Sequence, residues 1–167
     1  MNIRIRLAVP GDALDMAEVH MRSWETAYKD IIPAEYIHEK NSGRQALWER
    51  ILGETNTTQY IIQKDGKTAG MMGISASRDE DAGDDTYELM GLYLLPEYFR
   101  QGIGTQAMNF AYTEARKLEM KVMTVWLLEY NLNAKRFYEK CGFIPDGNKK
   151  EQDFGKVLNI IRMRREV

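Results

Sequence analysis

The sequence predicts an α+β fold: a mixed, mostly antiparallel, twisted sheet of about seven strands flanked by about four helices. Three observations predict it. The hydrophobic period switches between three-to-four and two along the chain. Predicted strands outnumber predicted helices, and the two only partly alternate, which argues against a doubly wound parallel sheet. No internal repeat, low-complexity tract or Pro/Gly/Ser-rich linker interrupts the 167 residues, so 1–167 reads as one domain.

The elements follow in order. Ile3, Ile5 and Leu7 alternate with Arg4 and Arg6, the period of a half-buried strand. Pro10-Gly11 breaks it, and Asp12 is placed to cap the next helix. That helix carries Leu14, Ala17, Met21, Trp24 and Tyr28 as an apolar stripe and stops near Pro33. A second helical piece covers Arg44–Leu52. Residues 60–62 and 69–74 form a hairpin closed by Asp65-Gly66. An acidic loop follows, with Asp79, Glu80, Asp81, Asp84 and Asp85, and then a strand over 87–95 that ends at Pro96. Ile103, Ala107, Phe110, Ala111 and Leu118 mark another helix. Next come a strand over Val122–Leu128, a helix over Leu132–Lys140 terminated by Gly142, and two strands, around Phe143 and over 157–164.

Composition narrows the function classes. The formal net charge is -2, which gives no reason to expect nucleic acid or an anionic membrane as partner. No apolar run approaches the ~20 residues that span a bilayer, and the alternating N-terminus is unlike a signal peptide. One cysteine, Cys141, makes no intrachain disulfide, so a cytoplasmic setting is expected, as monomer or homodimer. His20, His38 and Cys141 show no metal-ligand spacing, and no metal is expected. Cys141 also lacks a recognisable base partner for a role as acyl-carrying nucleophile.

The segment Arg100-Gln101-Gly102-Ile103-Gly104-Thr105 sits between a strand and an amphipathic helix. The first turn of a helix leaves amide N–H groups unpaired and carries partial positive charge. Glycines remove the β-carbons that would keep a phosphate oxygen away. Arg100 adds a cation and Thr105 a hydroxyl, so the turn reads as an anion cradle. A P-loop needs Lys-Ser or Lys-Thr after the second glycine, and Thr105-Gln106 stands there. Gly102, Gly104 and Ala107 formally satisfy the dinucleotide fingerprint, but six residues separate Leu95 from Gly102, where a Rossmann unit has almost none. A helix start with two incidental glycines is the remaining alternative.

A second segment bears on these alternatives. Asn131-Leu132-Asn133-Ala134-Lys135-Arg136-Phe137-Tyr138-Glu139-Lys140-Cys141-Gly142-Phe143 resembles the second signature of the GNAT superfamily of N-acetyltransferases. Leu92-Tyr93-Leu94-Leu95-Pro96-Glu97-Tyr98, running into the glycine turn, resembles the first, in the right order and at the right separation. The likeness extends to the order of elements along the whole chain.

The resemblance implies acetyl-CoA as co-substrate, with its pyrophosphate on the turn. Leu92, Tyr93, Leu94, Arg100, Gln101, Gly102, Ile103, Gly104, Thr105, Asn131, Ala134 and Phe137 are the cofactor-binding residues it implies. The family usually carries Arg or Gln at the position held here by Phe99, so backbone donors from Gln101 to Thr105 are expected to do most of the binding, with Arg100 in support. Lys135 and Arg136 are within the range of helix cations that reach the CoA 3′-phosphate.

Acyl transfer needs an amine without its extra proton. A lysine-like amine with pKa ~10.4 is neutral about once in 2,500 molecules at pH 7. Glu88, expected on the strand face shared by Met90, Leu92 and Leu94, is the base the resemblance implies, with Asp85 a weaker substitute. The Leu94 N–H is expected to polarise the thioester carbonyl, and Tyr138 to act as general acid toward the sulfur. Trp24, Glu25, Tyr28 and Tyr36 are expected to line the acceptor site. The acceptor is expected to be a small-molecule or peptide amine, and the acidic run 79–85 favours a cationic one such as a polyamine. A catalytically silent CoA-binding sensor and a dinucleotide-dependent oxidoreductase are the rival functions.

Overall fold

Asp65 and Gly66 both take positive φ (49° and 82°) and close the hairpin at the expected two residues. In this computed structural model, which describes residues 1–54 and 58–167, that hairpin joins β2 (Thr58–Lys64) to β3 (Lys67–Ala76). The other strands are β1 (Ile3–Leu7), β4 (Thr86–Leu94), β5 (Val122–Leu128), β6 (Ile144–Asp153) and β7 (Val157–Glu166). They form one seven-stranded sheet in the order β1-β2-β3-β4-β5-β7-β6. All neighbours are antiparallel except β4 and β5. α1 (Ala13–Tyr28), α2 (Ala34–Ser42) and α3 (Arg44–Leu52) cover one face, and α4 (Ile103–Lys117) and α5 (Leu132–Lys140) the other.

Several local expectations change. The described residues hold five α-helices rather than four, because α2 buries only Ile37 and shows no stripe. Asp12 does not cap α1. Its carboxylate is taken by Arg6 (2.8 and 2.9 Å) and by the Val9 N–H (2.8 Å), closing the turn from β1 into the helix. The buried face of α1 is Ala13, Met16, Ala17, Val19 and Ser23, whereas Leu14 is exposed. In α4, Met108, Tyr112 and Ala115 complete the buried stripe, and Leu118 lies exposed beyond the helix. β6 starts where a short strand was expected and runs ten residues. Its Pro and charged residues suit a sheet edge and erase alternation.

One irregularity positions the site. In the β3–β4 register Ile74 pairs with Leu89 and Gly73 with Gly91, so Met90 is an extra residue, a β-bulge. An extra residue swaps the side-chain parity on either side of it. Leu89, Leu92 and Leu94 therefore pack with Ile103, Ala107 and Val125 under α4. Tyr93 packs with Met71 and Trp48 on the α1–α3 side. Glu88, paired with Ser75, belongs to the Tyr93 face. The expectation that Glu88 shares a face with Leu92 and Leu94 is thus corrected, whereas Met90, whose sulfur accepts from Ser75 Oγ at 3.4 Å, does lie on the Glu88 side.

The bulge lies where the sheet opens. β4 pairs with β5 only from Thr86 to Leu89, while β5 stays paired with β7 as far as Leu128. Residues 90–94 and 126–128 consequently leave a gap between two strands in the middle of the sheet.

Candidate active site

The glycine turn sits at one wall of this gap. Gly102 adopts φ 77°, a conformation costly for other residues, and a β-carbon there would meet nothing within 4 Å. At Gly104 a β-carbon would lie 3.1 Å from the Phe137 ring, so this glycine lets α5 close onto the start of α4. Among the described residues, the N–H groups of Gly102, Ile103, Gly104 and Thr105 have no hydrogen-bond acceptor, and α4 adds its dipole behind them. An anion fits this cradle.

Arg100 is exposed, with φ 58°. The Gln101 side chain points elsewhere: its amide donates to the Glu97 carbonyl (2.8 Å) and accepts from Lys64 Nζ (2.5 Å). Gln101 can thus offer the cradle only its backbone. Lys64, which holds the Gln101 side chain, arrives from β2, far away in the chain, and no local pattern marks the contact.

The gap itself presents donors. Leu95 donates its N–H to Ala69 of β3. Strand alternation then turns the amides of Leu92 and Leu94 toward the gap, where β5 has separated from β4. Ser23 of α1 donates to the Leu94 carbonyl (3.1 Å), which fixes that peptide from the helix side. α5 closes the floor. Asn131 caps it by accepting from the Ala134 N–H (3.2 Å). Ala134 and Phe137 pack into the α4 core cluster. Tyr138 is buried between Phe137 and Phe143, with ring centroids at 5.2 and 5.6 Å. Its hydroxyl makes no hydrogen bond among the described residues. Burial first, and then Tyr93, pushes its pKa above the ordinary phenol range.

The opposite wall is aromatic. Trp24 meets Tyr28 edge-on at 5.1 Å and lies 6.5 Å from Phe154, which in turn meets Tyr36 at 6.2 Å. His20 contacts Tyr93 at 5.3 Å, Trp24 at 5.7 Å and Trp48 at 5.9 Å. Trp48 Nε1 donates to His20 Nδ1 (3.1 Å). Burial, helped by nearby Arg44, pushes the His20 pKa down to about 3, so this imidazole is neutral at physiological pH. Tyr28 of α1, in contrast, is pushed well up, first by burial and then by its neighbours Tyr93 of β4 and Tyr138 of α5. Glu25 does not join them. It is exposed and accepts from Asn41 of α2 (3.2 Å).

Glu88 is 2% exposed. Its carboxylate accepts from Arg78 Nη2 (2.7 Å) and from the Arg78 N–H (3.3 Å). From Glu88 to Leu92 the β3 partner moves from Ser75 to Met72, three steps or ~10 Å along the sheet. The acidic run is not an open field for cations. Asp79 and Asp81 are held by buried Arg162 (3.0 Å; 2.7 and 2.6 Å), which also pairs with Asp146 (2.6 Å). Trp126 Nε1 donates to Asp79 as well (3.1 Å). Glu80, Asp84 and Asp85 remain exposed.

Arg44, His20, Arg162 and Arg78 escaped sequence reading. Arg44 did leave a signal: Lys40, Asn41, Leu47 and Trp48 stand at its helical neighbour positions, and none is acidic.

Residues 17–143 match the acetyltransferase (GNAT) family. An uncharacterized N-acetyltransferase of Bacillus subtilis is 29% identical over 130 residues, covering 77% of this chain and 73% of that one. A probable N-acetyltransferase of Mycobacterium tuberculosis is 28% identical over 151 residues, covering 87% and 82%. Among solved structures, the PaiA N-acetyltransferase of Thermoplasma acidophilum, in complex with coenzyme A, superposes over 100% of both chains with a TM-score of 0.79 at 23% identity. A GCN5-related N-acetyltransferase from Rhodopseudomonas palustris gives 0.77 at 19%, over 100% of this chain and 97% of that one. No helix among the described residues is long and apolar enough to cross a membrane.

Proposed function

We propose that this chain, which belongs to the acetyltransferase (GNAT) family and is an acyltransferase, moves an acetyl group directly from acetyl-CoA to the primary amine of a small molecule or peptide. One observation carries the reading: the opening between β4 and β5, on which the cradle of α4, the Leu92 and Leu94 amides and Tyr138 converge. The unpaired amides and missing β-carbons of Gly102 and Gly104 suit a pyrophosphate. The coenzyme A bound by the Thermoplasma relative supports the same ligand here.

Acetyl-CoA supplies an activated thioester. The chain's own groups have three tasks. The Leu94 N–H, held by Ser23 through the carbonyl of the same residue, donates to the oxygen on which charge builds. Tyr138 keeps its proton at every working pH and donates a hydrogen bond to the departing sulfur. Since burial makes it a weaker acid than a free phenol, it solvates the thiolate more than it protonates it. Glu88 takes the amine's proton. At ~10 Å from Leu92 it does so through water, and Arg78 must yield part of its hold for a water to enter.

Release of free thiol from acetyl-CoA across a broad amine panel, with the acetylated product identified by mass, tests the reading. Thiol release with at least one amine is expected. A CoA-induced rise in Tm without thiol release would instead favour the sensor. Tight NAD binding without CoA binding would overturn the transferase.

A further inference from the structure

Arg44 opens α3 and is 6% exposed, yet among the described residues it forms no ion pair. Its one side-chain hydrogen bond among those residues is a long one, from Nε to Asn41 Oδ1 at 3.4 Å. The molecule's other buried charges are treated differently: Arg162 has three carboxylates, Glu88 has Arg78, and Asp12 has Arg6. An enclosed guanidinium without a counter-charge costs several kcal/mol. The Trp24 ring, 4.5 Å beneath the guanidinium carbon, offsets only part of this.

A second observation points the same way. Among the described residues, Arg44 Nη2 and Trp24 Nε1 are both buried N–H donors with no acceptor, and they belong to the two stacked groups. Buried donors are ordinarily satisfied, and a pair left open side by side marks a place for an acceptor from outside. Their surroundings connect with the gap: His20 bridges Trp24 to Tyr93, and Tyr93 immediately precedes Leu94 on β4.

Resting on the acetyl-transfer reading, we propose that Arg44 and Trp24 Nε1 bind a carboxylate of the acceptor, so that the substrate is a small amino-carboxylate, an amino acid, and not a polyamine. A carboxylate has two oxygens for the two open donors and the charge that Arg44 lacks. Its amine, one or a few bonds away, then lies toward Tyr28, Tyr93 and the gap. An all-cationic amine meets an uncompensated cation at the same spot.

Matched pairs decide this. Thiol release from acetyl-CoA is measured with amino acids and with their decarboxylated amines (phenylalanine and phenethylamine, lysine and cadaverine), with spermidine as a further arm. The best amino acid is expected to exceed its partner amine by at least about 30-fold in kcat/KM. Arg44→Gln should erase that preference by raising the amino acid's KM while the KM for acetyl-CoA stays put, and Arg44→Lys should restore part of it. If Arg44→Gln does not fold, Trp24→Phe, which keeps the ring and removes the donor, should weaken the preference several-fold. A binding arm needs no turnover: the same amino acids should raise the Tm of the wild type and not that of Arg44→Gln. Preference for the decarboxylated amines or spermidine overturns the carboxylate site and leaves the transferase intact. Absence of thiol release with every amine defeats the transferase, and the Tm arm then decides the carboxylate site by itself, a missing amino-acid shift overturning it.

Discussion

The two walls of the β4–β5 gap are made of different material. The wall proposed to hold the cofactor is backbone: amides of α4 bared by Gly102 and Gly104, and amides of β4 bared by the separation from β5. The wall proposed to receive the acceptor is side chain: Trp24, Tyr28, His20, Tyr93, Tyr36 and Arg44, drawn from α1, α2, α3 and β4. On the proposed reading, backbone donors recognise a ligand shared by many proteins and do not depend on the side chain at position 99. A side-chain wall can differ in every chain that keeps the fold, and on the same reading specificity is assigned to it.

Substitutions can break or sharpen that contrast. The largest effect is expected where the walls meet. Tyr138→Phe should lower kcat by about 100-fold or more and leave acetyl-CoA affinity nearly unchanged; an unchanged kcat removes Tyr138 from the chemistry. Glu88→Gln is expected to cost somewhat less, on the order of 100-fold at pH 7, with partial recovery at higher pH as more amine becomes neutral. A flat deficit across the pH–rate profile counts against Glu88 as base. On the cofactor wall, Gly102→Val forces a branched side chain into positive φ above the amides, and acetyl-CoA Kd should rise by about 30-fold in calorimetry. An equal loss on the acceptor side would mean that the walls are not separable.

His20 tests the acceptor wall through stability. Folding holds its pKa at about 3, whereas the unfolded chain's histidine titrates near 6.5. The unfolded state therefore binds more protons between those values, so the contribution is complete above about pH 6.5 and is lost as pH falls. By pH 5 the loss is about 2 kcal/mol. Urea unfolding at pH 7 and pH 5 should show that drop in the wild type and a shallower one in His20→Gln; equal slopes would show that His20 is not the group. The smallest effect expected is for Lys64→Met, a rise of about threefold in acetyl-CoA Kd that fades with added salt.

What could be read from the sequence follows the same division. The Asp65-Gly66 hairpin, the Asn131 cap, the Leu132–Lys140 helix and the glycine cradle depend on residues within a few positions of one another, and all are where local chemistry puts them. The bulge at Met90 depends on pairing with β3, 15 or so residues away, and no local pattern marks it, so the face of Glu88 came out reversed. Arg162 of β7 gathers Asp79 and Asp81 from one loop and Asp146 from β6, which is why the acidic run looked available to a cationic substrate. Arg44 sits over Trp24 only because α1 and α3 pack together. Trp24 and Tyr28, four apart on α1, could be paired from the sequence, whereas the ring contacts of Trp24 with His20 and Phe154 could not.

A crystal structure of the acetyl-CoA complex tests the division between the two walls most directly. Pyrophosphate on the Gly102–Thr105 amides, with the thioester in the gap between Leu92–Leu94 and β5 and the sulfur within hydrogen-bonding reach of the Tyr138 hydroxyl, is the expected result. A pyrophosphate bound away from α4, or a thioester lying outside the gap among the aromatic residues of α1, would contradict it.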